Sequence, residues 1–266
     1  MASNRLIADV DRQVLRTSIA VAALCLATFL ILRLLLLLMD GPSPFDIWLS
    51  DHIRQPHPSQ GLKIVEHLAA LPGSSKGAAA LILVVAAWAW LRRRDVRPGV
   101  LLIAAVVVAK ASVEVLKVLL VHVMPMRVPI GERVNRAFLS SHVAVAVAVL
   151  ATLVVIIWLF GHRDLFFLAV AVAIVLVIAV ALSVMATDKH YFADVVSGAA
   201  VGGFWVAVFA PVGDLMWRRF PAPISAASSR GIADQVYAGD GTSRTGGRGV
   251  LDAKDMASPA PVEAPD

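Results

Sequence analysis

Polar and apolar residues do not alternate along this chain; they separate into blocks. Six apolar runs, Ile19–Met39, Gly77–Leu91, Gly99–Leu120, Val143–Phe160, Leu165–Ala186 and Val195–Val212, are divided by segments that hold the charges, glycines and prolines. An α-helix needs about 20 residues to cross roughly 30 Å of hydrocarbon, and it satisfies its own backbone groups inside lipid. The pattern predicts an all-α fold, a polytopic membrane bundle of six transmembrane helices. The second run is short, and Ser75, Lys76 and a snorkelling Arg92 are expected to lengthen it. The first is too long and Leu-rich for a cleaved secretory signal and reads as a retained anchor. After it, Phe45, Trp48, Leu49 and Ile53 recur at helical spacing, with Asp46, Asp51 and Arg54 elsewhere, as in a short helix lying in the membrane interface. The chain thus divides into an N-terminal segment (1–18), a membrane domain (19–215) and a tail (216–266). The tail is rich in Ala, Gly, Ser and Pro without an apolar period, and is expected to be disordered.

Composition agrees with the blocks. Of 266 residues 59% are apolar and 16% charged, and mean hydropathy is +0.78. A soluble domain holds about 45–50% apolar and about 25% charged residues, so a water-soluble globule and a disordered chain are both excluded. The single cysteine, Cys25, allows no intrachain disulfide. The net charge of +5 bears on orientation rather than on nucleic acid, which is not expected as a partner. Arg5, Arg12 and Arg16, then Arg92, Arg93, Arg94 and Arg97, then Arg163, then Arg218 and Arg219 fall on one side of six crossings. Trp88, Trp90, Trp158 and Trp217 stand beside the same ends, as an interfacial belt would. That side is expected to be cytoplasmic, with both termini on it, in a plasma (inner) membrane. Asp40–Lys76, His122–His142 and Thr187–Asp194 are expected outside, where Arg127, Arg133 and Arg136 depart from the charge rule.

Three groups of polar residues bear on chemistry. Lys110, Glu114 and Lys117 share one face of the third run, either as a self-neutralising buried ladder or as functional groups. Ser140-Ser141-His142 precede the fourth run, where a serine would cap the helix in any case. His190 and Asp194 stand four apart before the sixth, so the carboxylate can accept from one imidazole nitrogen and leave the other free. The hydropathy-derived topology puts Lys117, Ser140, His142, His190 and Asp194 at the same membrane face. Two of the groups stand at helix N-termini, which favour an anion. An amine, two imidazoles, hydroxyls and a carboxylate gathered there suit phosphoryl transfer. Neither a zinc ligand spacing nor a Gly-rich phosphate loop is present, and no metal or cofactor is expected.

These residues resemble the type 2 phosphatidic acid phosphatase superfamily, relatives of the vanadium haloperoxidases. Its pattern is Lys, six residues, Arg-Pro; Pro-Ser-Gly-His; and Ser-Arg, five residues, His, three residues, Asp. Here the parts read Lys117 to Met124-Pro125, Leu139-Ser140-Ser141-His142, and Ser183-Val184 to His190 and Asp194. The likeness runs from about Leu71-Pro72-Gly73-Ser74 through the sixth run. It implies that His190 is the nucleophile, that Asp194 stabilises its imidazolium, and that His142 is the general acid and then base. Lys117, Ser140 and Ser141 are implied as phosphate ligands. Both arginines of the pattern are missing, replaced by Met124 and Val184, and Arg127, Arg133, Arg136 or Lys189 is left to compensate. Losing one preorganised donor costs about 3–4 kcal/mol. The resemblance implies a membrane lipid phosphatase with a variant phosphate pocket. The missing arginines favour a catalytically inactive relative that binds a lipid or a partner, and Lys110 with Glu114 suggests a transporter. Gly198 and Gly202 form a small-xxx-small pair, expected to pack within the chain.

Overall fold

The computed structural model describes residues 2–39, 42–53, 60–120, 139–187 and 190–219. Met124, Arg127, Arg133, Arg136 and Lys189 lie outside the described residues, as does the tail beyond Arg219. The elements in chain order are α1 (Ala2–Leu38), α2 (Pro44–Ile53), α3 (Gln60–Ala70), a single 3₁₀ turn (Leu71–Gly73), α4 (Ser75–Arg93), α5 (Arg97–Leu120), α6 (Ser141–Leu159), α7 (Arg163–Ala186) and α8 (Phe192–Arg219). Among the described residues there is no strand. Six helices, α1 from Arg12 and α4, α5, α6, α7 and α8, are long and apolar enough to cross a membrane. The chain is an all-α integral membrane protein.

Two boundaries differ from the apolar runs. Residues 2–18 are helical and continue the first span without a break, and residues 216–219 continue α8 rather than opening the tail. Helix α3 and the turn after it are not apparent in the sequence, because a short helix of mixed polarity makes no apolar run. Local chemistry sets several starts. Ser74 Oγ accepts the Gly77 N–H at 3.0 Å and caps α4. At α2, Ser43 Oγ accepts the Asp46 N–H at 3.1 Å while Asp46 Oδ2 accepts the Ser43 N–H at 3.1 Å, a reciprocal capping box. That cap buries Asp46, which the helical spacing places on the polar side of the interface helix.

Helix α6 is the axis of the packing. Its Val143, Ala144, Ala146, Ala148 and Val149 are fully buried, and α5, α7 and α8 pack around it. Small residues let the backbones close up, as the pair on the sixth run predicts: Gly198 lies against the Ser140 carbonyl and Gly202 against that of Ala144. Helix α1 lies against α8, with the thiol of Cys25 beside Gly203.

The arginine-rich end of the bundle is pinned by a polar and aromatic cluster. Arg97 donates from Nε to Asp95 Oδ1 at 2.8 Å and from Nη2 to Oδ2 at 2.6 Å, a two-pronged pair, and reaches the Met216 carbonyl at 3.3 Å. The same guanidinium stacks 4.8 Å from the Trp217 ring, Arg93 covers Phe160 at 4.4 Å, and Trp88 and Trp217 both meet Phe160 edge-on. Burial raises the Asp95 carboxyl, but the hydrogen bonds and charge of Arg97, with the charge of Arg93, outweigh it and hold the group below its ordinary range.

Candidate active site

The other end of the bundle carries the polar motifs, and the start of α6 organises them. Ser140 is fully buried at the N-cap, its Oγ accepting the Val143 N–H at 3.4 Å. Ser141 opens the helix and His142 stands half-buried in its first turn. Two neighbours hold this segment through backbone. The Ser140 N–H donates to the Asp194 carbonyl at 3.2 Å. A Cβ on Gly198 would collide with the Ser140 carbonyl, and one on Gly73 with that of His142. Only glycine allows α8 and the 3₁₀ turn so close. The segments of His142 and His190, distant in sequence, are thereby in direct contact.

The turn into α8 sets the second histidine. The Tyr191 N–H donates to Asp194 Oδ2 at 2.9 Å, which fixes the carboxylate beside the helix start. His190 Nδ1 lies 3.7 Å from that oxygen, an ion-pair distance too long for a hydrogen bond. The expected hydrogen bond between them is therefore absent: the oxygen is already engaged by backbone, and Nδ1 is buried without a hydrogen-bond partner among the described residues.

One carboxylate near this site does not stand out in the sequence. Asp46 Oδ1 accepts the Ala193 N–H at 2.9 Å, so the side chain that caps α2 also takes up an N–H at the start of α8. Asp46 and Asp194 thus take up the Ala193 and Tyr191 N–H groups where α8 begins. The available signal is the Ser-x-x-Asp spacing of Ser43 and Asp46, a capping box before an apolar run.

Lys117 occupies the last turn of α5, and the nearby Leu116 and Leu120 pack on the cluster that contains Leu139, the residue before Ser140. The first motif is thus drawn to the second. Lys117 Nζ pairs with Glu114 Oε1 at 3.3 Å, while Lys110 Nζ donates to Ser75 Oγ on α4 at 2.7 Å. Of the two readings of this face, the buried ladder is not formed: Lys110 and Glu114 are both exposed. Val184, in place of the pattern's second arginine, is 4% exposed in an apolar cluster with Val143, Val180, Met185 and Val195, covered by Leu49 and Ile53 of α2. Packing has taken over that position, and it offers no charge to an anion.

Arg33 also escapes a reading of the sequence, because the first run looks like a uniform Leu-rich anchor. It is 6% exposed inside the first span, and its Nη2 donates to the Leu120 carbonyl, at the end of α5, at 3.5 Å. Ser197 on α8 is fully buried, and its Oγ has no hydrogen-bond partner among the described residues. An arginine within a leucine run is the available signal. Among the described residues no group of three or more His, Cys, Asp or Glu is placed to hold a metal.

No curated protein and no solved structure matches the chain. The family model described as PAP2 superfamily matches residues 98–216, which hold Lys117, Ser140, His142, His190 and Asp194 together. The stretch from the start of α5 to near the end of α8 therefore belongs to the PAP2 superfamily.

Proposed function

We propose that the protein is a membrane lipid phosphatase that hydrolyses a lipid phosphate or diphosphate at the outer membrane face. The observation that carries this reading is the hydrogen bond from the Ser140 N–H to the Asp194 carbonyl, which ties the His142 segment to the His190 segment. In the proposed reaction an imidazole nitrogen of His190 attacks phosphorus. The phosphorus–oxygen bond to the lipid breaks, and His142 gives its proton to the leaving oxygen. Asp194 stabilises the phosphorylated imidazolium. His142 then takes a proton from water, whose oxygen attacks phosphorus, breaks the phosphorus–nitrogen bond and releases inorganic phosphate. Lys117, with Ser140 and Ser141 at the start of α6, binds the phosphate oxygens.

The test is phosphate release by the purified chain from phosphatidic acid in mixed micelles. We expect turnover by the wild type and a loss of about a thousandfold or more in His190→Ala. Release that survives His190→Ala unchanged would remove this mechanism. The packed Val184 favours a second reading, a catalytically inactive relative that binds a lipid or a partner. That reading predicts binding of phosphatidic acid with no phosphate released.

A further inference from the structure

We propose that Arg33 binds the phosphate group of the lipid, supplying from α1 the positive charge that the chain lacks at Met124 and Val184. The proposal rests on the lipid-phosphate reading above and adds a ligand to that site from outside the matched stretch. Three observations converge on it.

The first is position. Six successive crossings make α1 and α8 antiparallel, and Cys25 of α1 meets Gly203 of α8, its Sγ 3.0 Å from where a Cβ would stand. Arg33 lies about 12 Å further along α1, and the same rise back along α8 from Gly203 reaches Val195. Arg33 therefore stands level with the stretch of α8 between Asp194 and Ser197. Its neighbours on α1, Phe29 and Leu36, pack on the cluster that contains Leu139 and Val201. Its own Nη2 reaches the Leu120 carbonyl, one turn beyond Lys117 on α5. The stretches of α1 and α5 that carry Arg33 and Lys117 thus both pack on the cluster that holds Leu139, the residue before Ser140.

The second is the company it keeps. Ser197 shares the Asp194 and Val201 side of α8, and its buried hydroxyl has no hydrogen-bond partner among the described residues. A buried hydroxyl donor left idle at the level of a buried guanidinium is the polar lining that an oxyanion requires. A charge inside a span is expensive to keep and is associated with ligand sites.

The third is the space beneath. A cavity of about 310 Å³ lies between α1, α5 and α8, lined by Phe29, Leu116, Val201 and Trp205 among others. Phe29 is one turn from Arg33, Leu116 adjoins Lys117, and Val201 is one turn from Ser197. An acyl chain seated there would carry its headgroup to those three polar side chains.

The experiment compares binding of dihexanoyl phosphatidic acid and dihexanoylglycerol to the full chain in nanodiscs, beside its melting temperature. Arg33→Met keeps much of the side-chain volume and removes the charge, together with the hydrogen bond to the Leu120 carbonyl. We expect this variant to fold and bind dihexanoylglycerol as the wild type does. It should bind dihexanoyl phosphatidic acid about 10- to 100-fold more weakly, the usual contribution of a hydrogen bond to a charged group. Arg33→Lys, which keeps the charge, should retain most of the preference. The proposal falls if the wild type shows no preference for the phosphate, if Arg33→Met preserves it, or if both lipids are lost alike. Should Arg33→Met fail to fold, Arg33→Lys decides: retained preference supports the assignment and lost preference overturns it. A chain that prefers the phosphate through Arg33 but never releases it defeats the hydrolase reading and leaves this one standing.

Discussion

Asp95 and Arg97 show how much one pair of side chains can hold in a bundle with few polar contacts. The guanidinium spans from Asp95 to the Met216 carbonyl and the Trp217 ring, and so ties the α4–α5 link to the end of α8. Arg97→Ala would leave a buried carboxylate alone, at a cost of about 3 kcal/mol, read as faster heat inactivation in detergent. The pH dependence has a definite sign. Because the folded carboxyl lies below its ordinary value of about 3.9, its contribution is complete above that value and is lost as pH falls through the depressed one. Asp95→Asn should remove this part of the acid sensitivity of melting while lowering stability near neutral pH. The sequence shows Arg97 only as one of four arginines in a link; nothing in its spacing names Met216 or Trp217 as partners. His142, His190, Asp194 and Lys117 are legible because each is a polar residue at the edge of an apolar run, where composition makes it conspicuous. Arg33 and Ser197 are harder to see, being single polar residues inside runs that hydropathy averages away.

At the scale of elements, glycines decide how the helices meet. Gly198 leaves no room for a methyl against the Ser140 carbonyl, which is backbone and cannot turn aside. Gly203 faces only the Cys25 thiol, 3.0 Å from where a methyl would sit, and a side chain can rotate. Gly198→Ala should therefore destabilise by about 1–3 kcal/mol and depress phosphate release sharply, whereas Gly203→Ala should leave release nearly intact. A melting curve and a turnover assay on the two variants separate them. The spans are legible from length and hydropathy, and the close approach of the sixth from its small-residue spacing. Helix α3 and the turn at Leu71–Gly73 are not, since their place depends on α6 and α7, which lie far along the chain. Caps are visible as serines before apolar runs, but their second partners, such as Ala193 for Asp46, come from tertiary packing.

For the molecule as a whole, the Trp and Arg belt at one end and the polar motifs at the other give it a definite polarity. With Cys25→Ser as background, Asp51→Cys on α2 should react with a membrane-impermeant maleimide added outside intact cells. Arg92→Cys, at the arginine end of α4, should react only after lysis. The opposite labelling would invert the orientation drawn from the basic residues. The placing of α2 itself has a mechanical corollary. One carboxylate serves both its start and that of α8, accepting from Ala193 at 2.9 Å. Lifting α2 away would strand a peptide proton in greasy surroundings and expose Leu49 and Ile53 at the same moment. Detachment of that small helix is therefore a cooperative event rather than a gradual loosening.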